Sequence, residues 1–385
     1  MGNHRVSILI PCYQQAHYLP EAVESVLAQT GDLEIIIVND GSTDATREVA
    51  QAYVARRPGV IKLVEQPNRG LAMARGAGLA AATGRYLVLL DADDTLEPGM
   101  VETCVRAFRQ HPDADLVVGD AWSVPADHPT ARRPLDQAQV PRWPDVLEYN
   151  PFGAVMAVMA RSDSVRRVGG LAIEGLRACE DWDLWIRMIR CDMKVVPVRR
   201  RLGNHRERHD SLSRDPLLML DSKIKVLDWC VAEDPRLVDP TLEPVVPITR
   251  EAYARLRNGA VLHGLGLALG LGAAASTLDA LLERSVPGDL DPDYCAQQFA
   301  WGWLHGQRVD EAPPPRPVLD EALTRIEGFL RGRACSPRLS ASVAGRIRAS
   351  LYPRRDLAWV WRGLRWRLRR VVAAAGLGTS VPRAS

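Results

Sequence analysis

In the stretch Tyr86-Leu87-Val88-Leu89-Leu90-Asp91-Ala92-Asp93-Asp94, an apolar run ends abruptly in three carboxylates within four residues. Apolar residues without alternation predict a strand that is covered on both faces, as in a parallel sheet. Carboxylates crowded at the end of such a strand repel one another and are costly to desolvate. A divalent cation removes that cost, and oxygen ligands favour Mg²⁺ or Mn²⁺, with phosphate and water completing the shell. The alternative is an acidic turn that begins the next helix.

On both sides of this stretch, the first two hundred residues alternate short apolar runs with helical patterns. Such alternation predicts βαβ units and a largely parallel sheet flanked by helices. Ligands of parallel sheets bind at the carboxyl ends of the strands. The sequence therefore predicts that three polar turns meet at one edge of the sheet: Pro11-Cys12-Tyr13, Asn39-Asp40-Gly41 and Asp91-Ala92-Asp93.

The pattern changes near Pro216, after which helical periodicity dominates. We expect an α/β domain at 1–215, a helical domain at 216–352 and a basic amphipathic tail at 353–385. The segment 259–278 contains no formal charge, but its many Ala and Gly residues make its hydrophobicity modest. A buried helix of a bundle is therefore expected there rather than a membrane span.

Composition excludes several classes of protein. The formal net charge of the 385 residues is only +2, which gives no electrostatic basis for binding nucleic acid. The seven cysteines are scattered without a CxxC pair, so we expect neither a zinc site nor a disulfide framework. This cysteine usage, and an N-terminus that leads straight into a strand, predict a cytoplasmic protein without a signal peptide.

The N-terminal half resembles the family 2 glycosyltransferases of the GT-A fold. The resemblance covers residues 5–213 and is found in five motifs, at 6–14, 21–30, 37–44, 68–75 and 91–94. Gln14 stands where the family usually has Asn. The family resemblance implies a GT-A (Rossmann-like), mostly parallel sheet flanked by helices, here followed by a mainly α-helical region.

The resemblance implies a nucleotide-diphosphate sugar as donor, with UDP favoured. The residues expected to bind it are Pro11, Tyr13, Glu21, Asp40, Arg69, Asp91 and Ala92. Asp40 at a strand end can accept the imide N–H of a uracil ring, and the Arg69 guanidinium suits phosphate oxygens. The alternatives are a plain turn for Asp40 and a surface salt bridge for Arg69.

The resemblance also implies a divalent cation, Mn²⁺ or Mg²⁺, held by Asp93, Asp91 and His209. Asp93 would ligate the cation directly, and Asp91 would reach the ribose or the shell of the cation. His209 matches a family position before a Ser-Leu-Ser stretch, where a histidine can complete the coordination. An imidazole ligand favours Mn²⁺; a structural histidine is the alternative.

A second acidic pair, Glu180-Asp181, precedes Trp182 at the start of a predicted helix. In the family, an Asp of this motif is the general base of inverting transfer, because the proton of the attacking hydroxyl must go to a nearby carboxylate. We favour Asp181 over Glu180. The alternative is that both merely cap the helix. Trp182 is expected either to face an acceptor sugar or to lie in the core.

Two further basic features are open to interpretation. Arg206 and Arg208 could neutralise a diphosphate leaving group. In the tail, Trp and Leu residues at helical spacing, with arginines on another face, suit an anionic membrane surface or packing against protein. The acceptors of this family are often lipid-linked, so a glycan or lipid-linked acceptor and peripheral contact with the inner face of the membrane are expected.

Other functions fit the sequence less well. A sugar-nucleotide nucleotidyltransferase would need a Gly-rich, basic loop after the first strand, where this chain has Pro11-Cys12-Tyr13-Gln14. A non-catalytic binding or scaffold protein would fit a chain that had lost its acidic residues, but both acidic pairs are present. Processive synthases have several membrane spans, which are not expected in this sequence, so a single-addition enzyme is predicted.

Overall fold

The computed structural model describes residues 4–237, 239–242, 244–245, 247–288 and 291–306, and positions 317, 320–324, 326, 327 and 345. The chain forms two compact units, divided so that residues up to 213 and 221–250 belong to the first, and 214–220 and those from 251 onward to the second. The predicted tail at 353–385 lies outside the described residues. The predicted domain boundaries stay predictions.

The first unit begins with the predicted βαβ units. Its first strands and helices are β1 (Val6–Cys12), α1 (Leu19–Leu27), β2 (Leu33–Asp40), α2 (Thr46–Arg56), β3 (Ile61–Gln66), α3 (Leu71–Ala81) and β4 (Tyr86–Leu89). These strands are parallel and lie in the order β3-β2-β1-β4. Every residue of β1 and β4 is buried, which explains why their apolar runs do not alternate.

The rest of this unit is mixed rather than parallel. Its elements are β5 (Thr95–Leu96), α4 (Met100–Gln110), β6 (Leu116–Pro125), β7 (Arg133–Leu135), β8 (Val158–Arg161), α5 (Ser162–Arg167), α6 (Glu180–Arg190) and β9 (Val195–Glu207). The sheet continues as β4-β8-β6-β9-β5, with β7 beside β6. Strand β8 is antiparallel to both β4 and β6. The loop after β7 leads into β8 at the carboxyl edge of the sheet. No crossover helix carries the chain back to the other edge, so β8 runs in the opposite direction.

Strand β9 brings a polar segment to the acidic stretch. It runs parallel to β6, and the register between the two strands shifts around Asp120, where β9 contains the extra residues. Its far end pairs with β5, where Thr95 lies opposite Asn204. The residues that follow Asn204 are thereby placed beside the turn after β4.

At the amino end of the parallel strands, the buried carboxylate of Glu34 links several elements by hydrogen bonds. It accepts hydrogen bonds from Ser7 Oγ at 2.5 Å, from the Thr83 amide at 2.6 Å and from Lys62 Nζ at 2.8 Å. Burial alone would raise the pKa of Glu34, but the hydrogen bonds from Lys62, Ser7 and Thr83 outweigh it and lower that pKa to about 2. Glu34 therefore ties β1, β2, β3 and the turn before β4 together.

Replacing Glu34 by glutamine should lower the free energy of unfolding by about 3 kcal/mol at pH 7, because the carboxylate is better stabilised in the folded state than in the unfolded one. Because the pKa of Glu34 is lower in the folded state, its carboxylate stabilises the folded state fully above the unfolded pKa of 4.5. This stabilisation is lost as the pH falls from 4.5 towards the folded pKa of about 2. Urea denaturation of both proteins across this range should show the difference shrinking. Glu65→Gln, at an exposed ion pair with Arg47, is the control. A pH-independent difference would contradict the role of Glu34.

The second unit is helical. Its helices are α8 (Arg250–Gly270), α9 (Ala275–Leu282) and α10 (Pro292–Gly306); α7 (Pro216–Asp228) is divided between the units. A Cβ at Gly302 would lie 1.8 Å from the His263 carbonyl oxygen, and one at Gly266 2.0 Å from that of Phe299. Small residues thus let α8 and α10 pack backbone to backbone.

The apolar segment at 259–278 forms two elements of this bundle. It belongs to α8 up to Gly270 and to α9 from Ala275, and its residues between Val261 and Leu269 are buried. Among the described helices, none combines the length and apolar composition needed to cross a bilayer. The expectation of a buried helix is confirmed for α8.

Candidate active site

The polar turns after the parallel strands meet at one edge of the sheet, as predicted. In register, Cys12 of β1 pairs with Asn39 of β2, and Asp40 pairs with Gln66 of β3. Strand β4 lies on the other side of β1 in the same direction. The turns that begin at Tyr13, Gly41 and Asp91, and the loop after β3, therefore share the carboxyl edge.

Gln14 joins the first two turns. Its side-chain Nε2 donates to Thr43 Oγ1 at 2.7 Å, and its Oε1 accepts from the Asp44 amide at 3.0 Å. Its backbone amide donates to Ser42 Oγ at 3.0 Å. The residue adopts a left-handed φ of 57°, a conformation in which Asn is favoured over Gln. Gln14 stands where the family usually has Asn, and its longer side chain reaches the turn after β2.

Asp40 organises the loop after β3. It is buried, and its Oδ1 accepts from Gln66 Nε2 at 2.6 Å and from the Arg69 amide at 2.9 Å, while Oδ2 accepts from the Gly70 amide at 2.9 Å. Beside it, a Cβ on Gly41 would lie 2.6 Å from the Asn68 amide nitrogen, so only glycine fits. The Asp40 carboxylate, which was predicted to bind the uracil ring, thus already holds this loop. It accepts three hydrogen bonds out of the about four that a carboxylate can accept.

The other predicted donor-binding residues differ in exposure. Tyr13 is 49% exposed and Arg69 is exposed, so both side chains can meet a ligand at this edge. Pro11 is buried within β1 and Ala92 within the turn after β4. Glu21, exposed on α1, accepts from Arg206 Nη2 at 2.6 Å.

Three carboxylates of the turn after β4 have three different environments. Asp91 accepts from Arg75 Nη2 at 2.6 Å, and Asp93 from Arg208 Nη1 at 3.1 Å. Asp94 is buried and accepts from the Arg206 amide at 2.8 Å. Burial, then the charges of Asp94 and Asp91, raise the pKa of Asp93 to about 6, although Arg208 opposes this. The repulsion predicted from the sequence is therefore present.

This donor set fits a hard divalent cation. The carboxylates of Asp91 and Asp93 offer oxygen ligands whose crowding a cation would relieve. Within the part of the chain that the structure describes, no three or more His, Cys, Asp or Glu side chains are grouped so as to hold a metal. The remaining ligands would accordingly come from phosphate and water, as Mg²⁺ and Mn²⁺ accept.

The histidine that contacts the acidic turn is His205. Its Nδ1 lies 3.4 Å from Asp94 Oδ2, and this carboxylate raises the pKa of His205 to about 9 even though burial alone would lower it. His209 is 57% exposed, and its Nε2 lies 3.3 Å from Asp127 Oδ2. A role for His209 as metal ligand stays a prediction.

Arg206 and Arg208 form a cationic layer over Tyr18. Their guanidinium carbons lie 5.1 and 4.9 Å from the centre of the Tyr18 ring. Arg206 Nε also donates to the Asp93 carbonyl oxygen at 2.8 Å. The sequence did not predict a role for Tyr18, because this residue lies between two motifs and belongs to neither. In the structure, its ring holds the guanidinium groups of Arg206 and Arg208 beside Asp93.

Arg75 connects the two acidic pairs. Its guanidinium donates through Nη1 to Glu180 Oε1 at 2.5 Å and through Nη2 to Asp91 Oδ1 at 2.6 Å. The Arg75 side chain is 2% exposed, and its buried Nε has no hydrogen-bond partner. The turn after β4 and the start of α6, which are 89 residues apart between Asp91 and Glu180, therefore meet at one side chain.

The structure distinguishes Glu180 from Asp181. Glu180 is 2% exposed and paired with Arg75; burial raises its pKa to about 7 against the effect of Arg75. Asp181 is half-buried, and its Oδ2 accepts from Asn150 Nδ2 at 2.7 Å. Burial also raises the pKa of Asp181, with Arg75 and Asn150 opposing. Asp181 is thus the less buried residue of this pair, and its carboxylate contacts the Asn150 amide rather than an arginine.

Trp182 belongs to the core. It is 4% exposed, and its Nε1 donates to the Val146 carbonyl oxygen at 2.8 Å. Of the two roles considered for this residue, a face for an acceptor sugar is therefore excluded by its burial.

Replacing Arg75 by methionine should lower the free energy of unfolding by about 3–5 kcal/mol, because the buried Glu180 carboxylate loses its counter-ion. Urea denaturation at pH 7 measures the change. The matched control is Arg106→Met, whose partner Glu102 lies 3.9 Å away at an exposed pair, where about 1 kcal/mol or less is expected. Equal losses in the two variants would contradict a central role for Arg75.

Part of this chain is similar in sequence to known glycosyltransferases. Residues 7–159 match the family model described as glycosyl transferase family 2. The uncharacterized glycosyltransferase EpsJ of Bacillus subtilis is 30% identical over 220 residues, which are 55% of this chain and 63% of EpsJ. A chondroitin synthase of Pasteurella multocida is 46% identical over 104 residues, 27% of this chain and 11% of that protein. The chain spans 11–39% of the length of the first curated relatives.

The fold is shared with a solved structure. The crystal structure of S. aureus TarS 1–349 superposes with a TM-score of 0.51 at 13% identity and covers 90% of each chain. The same protein in complex with UDP-GlcNAc superposes with a TM-score of 0.51 at 14% identity, over 90% of this chain and 91% of that one. The predicted GT-A fold class is thereby confirmed.

Proposed function

Since residues 7–159 match the family model of glycosyl transferase family 2, we propose that this chain is a member of that family and a metal-dependent inverting glycosyltransferase. It moves a sugar from a nucleotide-diphosphate sugar to a hydroxyl group of a glycan or lipid-linked acceptor. The observation that supports this most strongly is the guanidinium of Arg75, within 2.6 Å of both Asp91 and Glu180. It makes the acidic turn and the Glu180-Asp181 pair parts of one site.

The donor is a UDP-sugar in this proposal. TarS, which shares the fold, has been solved with UDP-GlcNAc and with UDP. The uracil ring lies against the exposed Tyr13, near the loop that Asp40 holds, and Arg69 faces the diphosphate. Asp40 contributes chiefly by positioning this loop, with one acceptor site left for the base.

Asp93 and Asp91 would hold Mn²⁺ or Mg²⁺ together with the diphosphate of the donor. When bound, such a cation neutralises charge on the leaving diphosphate. Arg206 and Arg208 act on the same charge from the Tyr18 side, because both contact Asp93. His205 and Asp94 keep the end of β9 against this turn and so hold both arginines in place.

Asp181 is the general base. The acceptor oxygen bonds to the anomeric carbon while the bond to the diphosphate breaks, and the electron pair leaves with the diphosphate. The proton of the acceptor hydroxyl passes to the Asp181 carboxylate, and the single displacement inverts the anomeric centre. The raised pKa of Asp181 makes it a better base than an exposed aspartate.

The acceptor belongs to a cell-surface glycan or glycolipid in this proposal, and the enzyme works in the cytoplasm at the inner face of the membrane. The basic tail at 353–385 would provide the peripheral contact. Liposome sedimentation of the full chain and of a chain ending at Tyr352 tests this part by itself. Equal binding to anionic vesicles would remove the membrane contact from the proposal.

Asp181→Asn and Asp93→Ala should fail at different steps. Asp181→Asn should bind UDP almost normally but lower kcat by about 10²–10⁴-fold, because only proton transfer is lost. Asp93→Ala should instead weaken Mn²⁺-dependent binding of UDP itself. Calorimetry and a UDP-release assay separate the two effects, with Asp163→Asn, 92% exposed on α5, as the control. Near-normal kcat in Asp181→Asn would overturn the assignment of the base.

A thermal-shift screen tests the whole proposal. UDP-, GDP- and dTDP-sugars are added with and without Mn²⁺ or Mg²⁺, and a ligand that binds the folded state raises Tm. We expect stabilisation by a UDP-sugar that disappears with EDTA. If no nucleotide sugar raises Tm with either cation, the proposed function is wrong.

A further inference from the structure

The 138–153 loop follows β7, and hydrogen bonds between the residues that flank it hold its two ends together. Gln137 is buried, and its side-chain amide exchanges two hydrogen bonds of 2.9 Å with the Ala154 backbone. Asp120 Oδ1 accepts from the amides of Gln137 at 2.9 Å and Ala138 at 2.8 Å. The loop is therefore an Ω-loop whose two ends are fixed to each other and to β6.

The same loop is anchored to α6 by contacts that do not involve Asp181. Trp182 Nε1 donates to the Val146 carbonyl oxygen, and the buried ring of Phe152 packs edge-on against Trp185, with ring centres 5.7 Å apart. These contacts hold the loop in place without a charged group. The loop therefore has anchoring contacts to α6 that are separate from the one to Asp181.

Asn150 nevertheless reaches Asp181 from this loop. Its Nδ2 donates to Asp181 Oδ2 at 2.7 Å, and its Oδ1 accepts from the Phe152 amide at 3.2 Å. The second bond fixes the orientation of the amide, so that its donor faces the carboxylate. The bond from Asn150 occupies one of the four acceptor positions of this carboxylate and leaves about three.

We propose that Asn150 is a positioning residue for the general base: its amide fixes the Asp181 carboxylate and leaves the remaining lone pairs to the acceptor hydroxyl. This inference rests on the proposed function. An amide donor suits the task because it stabilises the ionised carboxylate without competing for the proton. The charged groups that face Asp181 are Arg75 from α3, Asp91 from the turn after β4 and Glu180 from α6 itself.

Asn150→Asp isolates this contact. The new side chain has nearly the same shape and keeps the oxygen that accepts from Phe152, but it replaces the donor by a second carboxylate beside Asp181. We expect kcat for UDP release to fall about tenfold or more, with KM for the donor little changed. The acidic limb of the kcat–pH profile should move to higher pH, because loss of the donor favours the protonated base. Asn150→Ala should move it in the same direction, and it replaces the first variant should that one not fold.

The assay uses full-length protein, Mn²⁺ and the UDP-sugar that most stabilises the wild type. Trp182→Phe is the matched control, since it cuts another bond between α6 and the same loop and should leave the acidic limb in place. If the Asn150 variants keep wild-type kcat and pH profile, or if Trp182→Phe moves the limb as they do, the inference is wrong. If the wild type releases UDP from no UDP-sugar, the proposed function itself fails.

Discussion

The site depends on one buried guanidinium. Arg75 is buried on α3 and shared between Asp91 and Glu180, so the two ends of one guanidinium compensate two carboxylates at once. Taking such a group out of water is unfavourable unless its partners stay in place. The turn after β4 and the start of α6 must therefore both be in place around Arg75, which couples Asp91 to the Glu180-Asp181 pair.

Around this centre, polar side chains hold the loops of the sheet edge. Gln14 links the turn after β1 to the turn after β2, and Asp40 links the end of β2 to the loop after β3. Asp94 links the turn after β4 to the end of β9. Each uses a side chain to satisfy backbone amides that no strand pairs. Acidic residues at this edge thus differ in their contacts: Asp40 and Asp94 accept from backbone amides and hold the loops, whereas Asp91, Asp93 and Asp181 accept from side chains and are the ones that we propose to act on ligands.

The parallel half of the fold could be predicted because its information is local. Apolar runs such as Ile35–Val38 indicate strands buried on both faces, and the helices between them fix the direction. The mixed half could not. Strand β8 is antiparallel because a long irregular loop, not a helix, leads into it, and most of β9 has no apolar run because only part of it is buried.

By itself, the sequence determined which residue types stand at the strand ends, and therefore the acidic turn, the Glu180-Asp181 pair and the class of fold. The tertiary structure decided which of them share a contact. It buried Glu180 against Arg75 and left Asp181 only half-buried, brought His205 to Asp94, and placed Asn150 against Asp181. Periodicity and motifs report local backbone preference, whereas such contacts join residues tens of positions apart and depend on how the strands and loops pack.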